Sequence, residues 1–201
     1  MVSDSYYAIG KSHIFCQDYT YAKSFAVPFT FEGKRSRIAV VADGCSSSQN
    51  TDIGARSLAL ASIEEVEICV SYDPQDVLLV KDLLLDIMNS AVKRLPAFLP
   101  LESLDATLLM AFEWMDGIVQ VLACGDGVIL ARKNGQIETW EIDFEGAPAY
   151  LSYTLGGERY KRYIEEGWGK RTVTYMINGV VKEKEETNPY FEEDAPPTPF
   201  V

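Results

Sequence analysis

The sequence is organised around the stretch Ile38-Ala39-Val40-Val41-Ala42-Asp43-Gly44-Cys45-Ser46-Ser47-Ser48. Its five apolar residues in a row predict a strand that is buried on both faces. Asp43 ends that strand, where a carboxylate is unfavourable unless a cation compensates it. Gly44 lets the backbone turn and leaves its carbonyl open to an incoming group. The pattern is compatible with oxygen ligands for a hard divalent cation, although taken alone it favours an ordinary Asp-Gly turn.

Composition and charge limit the class of protein. A chain of 201 residues with 47% hydrophobic residues predicts one globular domain, or at most two small ones. The net charge of −12 argues against non-specific binding to nucleic acid or to an anionic membrane. An anionic substrate is still compatible with this charge, because bound divalent cations can reverse its sign locally. No apolar run is long enough to cross a bilayer, and the N-terminus is not a signal peptide. Four scattered cysteines and a single histidine argue against a structural zinc site and predict reduced thiols in a cytoplasmic protein.

The first half of the chain predicts strands followed by two helices. Strands are predicted at 6–9, 16–22 and 25–31, and then Glu32-Gly33-Lys34 makes a hairpin turn into the Asp43 strand. Helical spacing predicts a helix from about Asp52 toward Val70, with one face formed by Ala55, Leu58, Ala59, Ser62, Ile63 and Val66. A second helix begins at Asp73-Pro74 and ends before Pro96, since aspartate caps a helix and proline suits its first position. Its apolar stripe at helical spacing is Val80, Leu83, Leu84, Ile87, Met88, Ala91 and Leu95.

The second half returns to strands, which are predicted at 106–114, 118–124, 128–132 and 137–142. Because short turns join antiparallel neighbours, these four strands predict one meander. After an irregular segment with a short helix, a hairpin over 172–177 and 180–184 turns at Asn178-Gly179. Residues 188–201 form an acidic, proline-rich tail of a single domain over 1–201. The pattern predicts an α+β fold in which two packed antiparallel β-sheets, a β-sandwich, are flanked by helices.

Four short motifs occur in an order that resembles a known family. They are Gly10-Lys11-Ser12-His13 with Cys16-Gln17-Asp18, Val41-Ala42-Asp43-Gly44, Asp105-Ala106-Thr107, and Ala123-Cys124-Gly125-Asp126-Gly127. Each motif is weak by itself. The ordered set, with a helix pair between the second and third motifs, resembles the metal-dependent protein phosphatases of the 2C type over roughly residues 10–140. This resemblance implies a β-sandwich with helices on both outer faces and metal ions bound at one end.

The resemblance also implies roles for individual residues. Asp43 would bridge two Mg²⁺ or Mn²⁺ ions, the Gly44 carbonyl would ligate one of them, and Asp18 would hold metal-bound water. Asp126 would belong to a further, weaker metal position. Such ions lower the pKa of a shared water and neutralise the oxygens of a phosphomonoester. The implied substrate is therefore a phosphoprotein or a small phosphomonoester, with Asp43 as a catalytic residue.

Three departures from the family pattern bear on activity. Where the family holds the phosphate with an arginine, this sequence offers Lys11 and His13. His13 is the second catalytic candidate, although a lone histidine is more often structural. The loop after Gly44 is rich in serine. The two later aspartates that complete the family's metal site have no counterpart after Asp126, which predicts a domain shortened at its C-terminal end.

Three functions are compatible with these observations. The first is a metal-dependent phosphatase that acts on phosphoserine, phosphothreonine or a small phosphomonoester. The second is a pseudophosphatase, a binding or regulatory module with an incomplete metal site, which the missing aspartates favour. The third is an acidic β-rich interaction protein, which the ordered motifs disfavour. A shortened sandwich would expose strand edges, and we therefore expect a homodimer or limited solubility.

Overall fold

A computed structural model describes residues 16–26, 35–72, 80–113, 118–177 and 179–187. The strands are β1 (Asp18–Ala26), β2 (Arg35–Gly44), β3 (Ala106–Glu113), β4 (Val119–Cys124), β5 (Gly127–Lys133), β6 (Gln136–Asp143), β7 (Lys170–Ile177) and β8 (Val180–Thr187). The helices are α1 (Thr51–Tyr72), α2 (Val80–Arg94) and α3 (Gly157–Glu165), with 3₁₀ helices at Leu101–Leu104 and Leu151–Leu155. The features predicted at 6–9, 32–34, 73–74 and 188–201 lie outside the described residues, as do Lys11 and His13.

Two four-stranded antiparallel sheets form the core of the fold. The first sheet has the order β1-β2-β3-β4, and the second has the order β5-β6-β7-β8. The sheets pack on each other where Ala123 of β4 joins Ile142 of β6 and Val173 of β7 in one buried cluster. The predicted α+β fold with two packed antiparallel sheets is confirmed.

The two long helices form two layers on the first sheet, with α1 against the strands and α2 outside it. α1 packs on β1, β2 and β3, and α2 packs on α1. Gly54 lets α1 approach the Leu101–Leu104 helix closely, because a Cβ there would lie 1.6 Å from the Ser103 carbonyl oxygen. Most residues of the helix faces predicted from spacing are buried: Ala55, Leu58, Ala59, Ser62, Ile63 and Val66 on α1, and Leu83, Leu84, Ile87, Met88 and Ala91 on α2. Leu95, just past the end of α2, is half-buried. No described helix is both long and apolar enough to cross a membrane.

The outer face of the second sheet differs from that of the first. It exposes Val128 and Leu130 of β5, Ile137 of β6 and Val181 of β8. α3 packs on the opposite, inner side of this sheet, where its Tyr163 joins Ile142 of β6 and Val173 of β7 in one buried cluster. The implied covering of both outer faces by helices is therefore observed on the first sheet alone in this part of the chain.

The prediction that β2 is buried on both faces is wrong. Val40 and Ala42 point toward α1 and are fully buried, whereas the side chain of Val41 on the opposite face is 47% exposed. The second sheet meets this opposite face further along, near Leu109 of β3 and Ala123 of β4. An uninterrupted apolar run therefore occurs here on a strand with one fully covered face.

The predicted four-strand meander is also wrong, because the chain changes sheets between β4 and β5. β3 pairs with β4 and β5 pairs with β6, but β4 and β5 belong to different sheets. The change occurs at Gly125, whose φ of 92° favours glycine. A Cβ at Gly125 would also lie 2.8 Å from the Thr107 side chain. The β7–β8 hairpin is confirmed, with Ile177 paired to Val180 across the predicted turn.

Candidate active site

A cleft of about 670 Å³ lies at the end of the sandwich where β2 stops. The residues predicted as metal ligands, Asp18, Asp43, Gly44 and Asp126, all line it. None of its described lining residues is a lysine or an arginine. The fold therefore gathers the predicted acids in one place, and their role as ligands stays a prediction.

Asp18 and Asp43 lie directly opposite each other on β1 and β2. The Gly44 N–H donates to the Gln17 carbonyl at 3.2 Å. Gln17 and Gly44, which adjoin the two aspartates, are therefore a pair of the hydrogen-bonded type. Since pair types alternate along antiparallel strands, Asp18 and Asp43 form a non-hydrogen-bonded pair with Cα atoms about 4.5 Å apart. Two carboxylates in such a pair repel each other unless a cation lies between them.

Gly44 occupies a position with no room for a side chain. A Cβ there would lie 2.7 Å from the Gln17 carbonyl oxygen and 2.9 Å from Thr51 at the start of α1. The Gln17 side-chain amide donates to the Thr51 hydroxyl at 2.9 Å, and that hydroxyl donates to the Cys45 carbonyl at 3.0 Å. These contacts tie the end of β2 to α1 and to the residue before Asp18.

Asp126 enters the cleft from the turn between the two sheets. Its Oδ1 accepts a hydrogen bond from the Phe144 N–H at 2.9 Å. Burial raises the pKa of Asp126, the Phe144 N–H lowers it, and the negative charge of Asp143 raises it further. The net result is a carboxyl group with a pKa above its usual value, held beside the other acids of the cleft.

Behind the cleft, Asp105 fixes the serine-rich loop to the rest of the fold. Its side chain is only 3% exposed, and Arg159 of α3 donates to both carboxylate oxygens at 3.0 and 2.8 Å. The Ser48 and Ser152 hydroxyls also donate to this carboxylate, at 2.9 and 2.6 Å. The Cys45 N–H donates to the Asp105 carbonyl at 2.8 Å. The sequence marks Asp105 only as part of a strand-start motif and gives no signal for Arg159, which lies in the segment predicted to be irregular.

Tyr150 and Cys45 are two further cleft residues that the sequence did not single out. The Cys45 thiol lies 3.0 Å from the Ser47 hydroxyl and is also hydrogen-bonded to Tyr150. Burial raises the pKa of the Cys45 thiol, but hydrogen bonds from Ser47, Tyr150 and Ser48 outweigh burial and leave it below its usual value. Burial, with the Cys45 contact, raises the pKa of Tyr150, so its hydroxyl is a hydrogen-bond donor at physiological pH. No sequence motif marks either residue.

The donor set at the cleft suits hard divalent cations. Three carboxylates and the Gly44 carbonyl offer only oxygen, which Mg²⁺ and Mn²⁺ prefer. Within the described ranges, however, no three His, Cys, Asp or Glu side chains stand close enough to share one ion. The oxygen ligands therefore fit Mg²⁺ or Mn²⁺ in type. The described side chains supply the opposed pair Asp18 and Asp43 but not a complete set of ligands for one ion.

Comparison with known proteins supports the resemblance found in the sequence. A family model described as protein phosphatase 2C matches residues 9–143. The match spans β1 to β6, including every candidate ligand in the cleft. No curated protein matches the chain.

Proposed function

This chain belongs to the protein phosphatase 2C family, and on that premise we propose that it hydrolyses phosphomonoesters with the aid of Mg²⁺ or Mn²⁺. The proposed substrate class is phosphoserine or phosphothreonine in a protein. The observation that carries the proposal is the direct opposition of Asp18 and Asp43 in a cleft whose described lining contains no basic residue. A phosphate dianion would be repelled from such a cleft unless cations occupied it.

The proposed roles follow the positions of the residues. Asp43 and the Gly44 carbonyl would hold the ions, with Asp18 acting through water and Asp126 serving a further position. When bound, the ions would supply a water of lowered pKa and neutralise charge on the phosphoryl group. His13 is retained as a candidate phosphate contact outside the described residues.

Neutral donors on the cleft wall supply the rest of the proposed site. The Ser46 and Ser47 side chains and Tyr150 line the cleft, and hydroxyl groups can donate hydrogen bonds to phosphoryl oxygens. The contact of Ser48 with Asp105 holds the loop that carries these serines. This arrangement would orient the substrate without an arginine among the described lining residues.

A pseudophosphatase is the second candidate function. The observation in its favour is that the described residues contain no group of three potential ligands close enough for one ion. In this alternative the fold and the cleft serve to bind a phosphorylated or metal-bearing partner without turnover. The two proposals differ in one measurable respect, the hydrolysis of a phosphomonoester.

Calorimetric titration of Mn²⁺ into the metal-free protein, with p-nitrophenyl phosphate hydrolysis measured on the same samples, tests both proposals. Asp43→Asn is the test variant, and Asp82→Asn, an exposed acid on α2 outside the cleft, is the matched control. We expect binding and turnover in the wild type and in Asp82→Asn, with both reduced at least about 100-fold in Asp43→Asn, because a metal-bridging carboxylate would be lost. Binding without turnover would indicate a partial metal site. No binding by the wild type would contradict the metal site and favour the pseudophosphatase.

The remaining properties stay predictions. They are a cytoplasmic location, the absence of nucleic-acid and membrane partners, and a homodimer. Light scattering tests the last of these directly. A monodisperse monomer would contradict the expectation that exposed strand edges drive self-association.

A further inference from the structure

Two cysteines flank the opposed acids of the cleft. Asp18 is paired with Asp43, and the Gly44 N–H to Gln17 hydrogen bond extends this register by one residue. Cys16 precedes β1 and Cys45 follows β2, so each lies one residue beyond that hydrogen bond. Antiparallel pairing continued by this one residue would set the two cysteines opposite each other as a non-hydrogen-bonded pair, in which Cα atoms lie about 4.5 Å apart.

The surroundings of both thiols place them on the cleft side of the strands. Cys16 and Cys45 both line the cleft. The Cys16 thiol approaches the Asp18 carbonyl at 3.5 Å and its carboxylate at 4.0 Å, which puts it on the same side as that acid. The Cys45 thiol contacts Ser47, another cleft residue. The other two cysteines do not line this cleft, since Cys69 belongs to α1 and Cys124 is buried in the first sheet.

We propose that Cys16 and Cys45 form a reversible disulfide across the mouth of the cleft when the protein meets a peroxide. Disulfides require Cα atoms about 4.4–6.8 Å apart, and pairing continued by one residue beyond the Gly44–Gln17 hydrogen bond would supply a separation at the short end of that range. The four cysteines carry no disulfide in this structure.

The reaction is balanced with the peroxide as the oxidant. One thiol is oxidised to a sulfenic acid while hydrogen peroxide is reduced and one water leaves. The second thiol then attacks the sulfenic sulfur, the S–S bond forms, the S–O bond breaks, and a second water leaves. Two thiols and one hydrogen peroxide thus give one disulfide and two waters, and an external dithiol reverses the change.

The disulfide would act on the proposed metal site, and this consequence rests on the proposed function. It would join Cys16, which precedes Gln17 and Asp18, to Cys45, which follows Asp43 and Gly44. It would also draw both thiols over the ends of β1 and β2. We expect the oxidised protein to bind Mn²⁺ at least about tenfold more weakly, because two ligand-bearing segments lose their freedom to adjust around an ion. Reduction should restore the affinity.

Peptide mapping of the full chain tests the disulfide without reference to activity. The protein is treated with hydrogen peroxide, remaining thiols are alkylated, and proteolytic fragments are analysed by mass spectrometry. We expect a Cys16–Cys45 linked pair, lighter than the two separate peptides by two hydrogen atoms and abolished by dithiothreitol. Cys69→Ser is the matched control and should retain the link, whereas Cys16→Ser should lose it and accumulate higher oxides on Cys45.

Two results would overturn the proposal. One is oxidation of Cys45 to sulfinic or sulfonic acid in the wild type with no linked peptide. The other is a linked peptide that contains Cys69 or Cys124 in place of this pair. Mn²⁺ titration of the same reduced and oxidised samples separates the disulfide proposal from the proposed phosphatase function. If the Cys16–Cys45 disulfide forms in a protein that does not bind Mn²⁺ in either state, the proposed function is contradicted and the disulfide is not.

Discussion

Asp105 and the opposed pair Asp18 and Asp43 lie near the same end of the first sheet but differ in how their negative charge is compensated. Asp105 is buried, and the chain supplies its cation, Arg159, together with two serine hydroxyls. Asp18 and Asp43 face each other at an open cleft with no lysine or arginine among its described lining residues. Both groups are anchored to the same polar loop, since the Cys45 backbone bridges the end of β2 to Asp105.

The difference separates an acid whose cation is supplied by the chain from two acids that face each other at an open cleft. A buried carboxylate that accepts two hydrogen bonds from an arginine needs nothing from solution and stabilises the native state by its contacts. Carboxylates directly opposite each other on neighbouring strands repel, and this repulsion destabilises the native state unless a cation compensates it. Removing each kind of acid should therefore change stability in opposite directions.

The largest effect is expected from Asp105→Asn. The variant leaves Arg159 without its carboxylate and disturbs the hydrogen bonds from Ser48 and Ser152. Breaking such a pair lowers the free energy of unfolding by about 2–3 kcal/mol, somewhat less than for a fully buried pair because Arg159 is partly exposed. Urea unfolding of the metal-free protein, followed by tryptophan fluorescence, measures the change.

Glu102→Gln is the matched control for this prediction. Glu102 also approaches Arg159, at 3.8 Å, but it is exposed. Exposed pairs contribute about 0–1 kcal/mol, so the control should unfold close to the wild type. Equal losses in the two variants would contradict the assignment of Asp105 as the structural acid.

The next effect is expected from Mn²⁺ itself. At a concentration about 100 times its Kd, a ligand that binds only the native state adds about 2.7 kcal/mol to the free energy of unfolding. For a chain of this size that raises Tm by about 5–10 °C. Asp18→Asn and Asp43→Asn should lose this rise, yet without metal they should be at least as stable as the wild type because one of the repelling charges is gone. Differential scanning calorimetry with and without Mn²⁺ checks both statements, and a full Tm rise in Asp43→Asn would contradict them.

Local patterns in the sequence predicted most of the fold. Helical spacing identified the buried faces of α1 and α2, and Asn178-Gly179 identified the β7–β8 hairpin, because each signal lies within a few residues. The failures concern contacts between distant segments. The turn at Gly125 has the composition of a hairpin but leads from one sheet to the other, which no short window of sequence reveals.

The site could be predicted in part for the same reason. Asp18, Asp43 and Asp126 were found through family motifs, and the structure places all three at one cleft. The ion pair of Asp105 with Arg159 joins residues 54 positions apart, and neither has a local signal for its partner. The exposure of one face of β2 could not be predicted, because an apolar run does not show whether one or both faces of its strand are covered by other elements.

The smallest effect is expected from Asp126→Asn, and its sign depends on pH. Burial raises the pKa of Asp126 in the native state above its value in the unfolded chain, so the ionised carboxylate destabilises the fold. The stabilising contribution of the protonated Asp126 carboxyl is present below its pKa in the unfolded chain and is lost as the pH rises through its pKa in the native state.

The Asn side chain of the variant keeps an oxygen that accepts the Phe144 N–H, and it removes the charge. In metal-free protein the variant should therefore have a Tm about 1–2 °C above the wild type at pH 7.5, a difference that shrinks as the pH falls toward 4.5. A pH-independent difference, or a less stable variant at pH 7.5, would show that Asp126 is a structural acid like Asp105, and would remove it from the group of acids that need a cation.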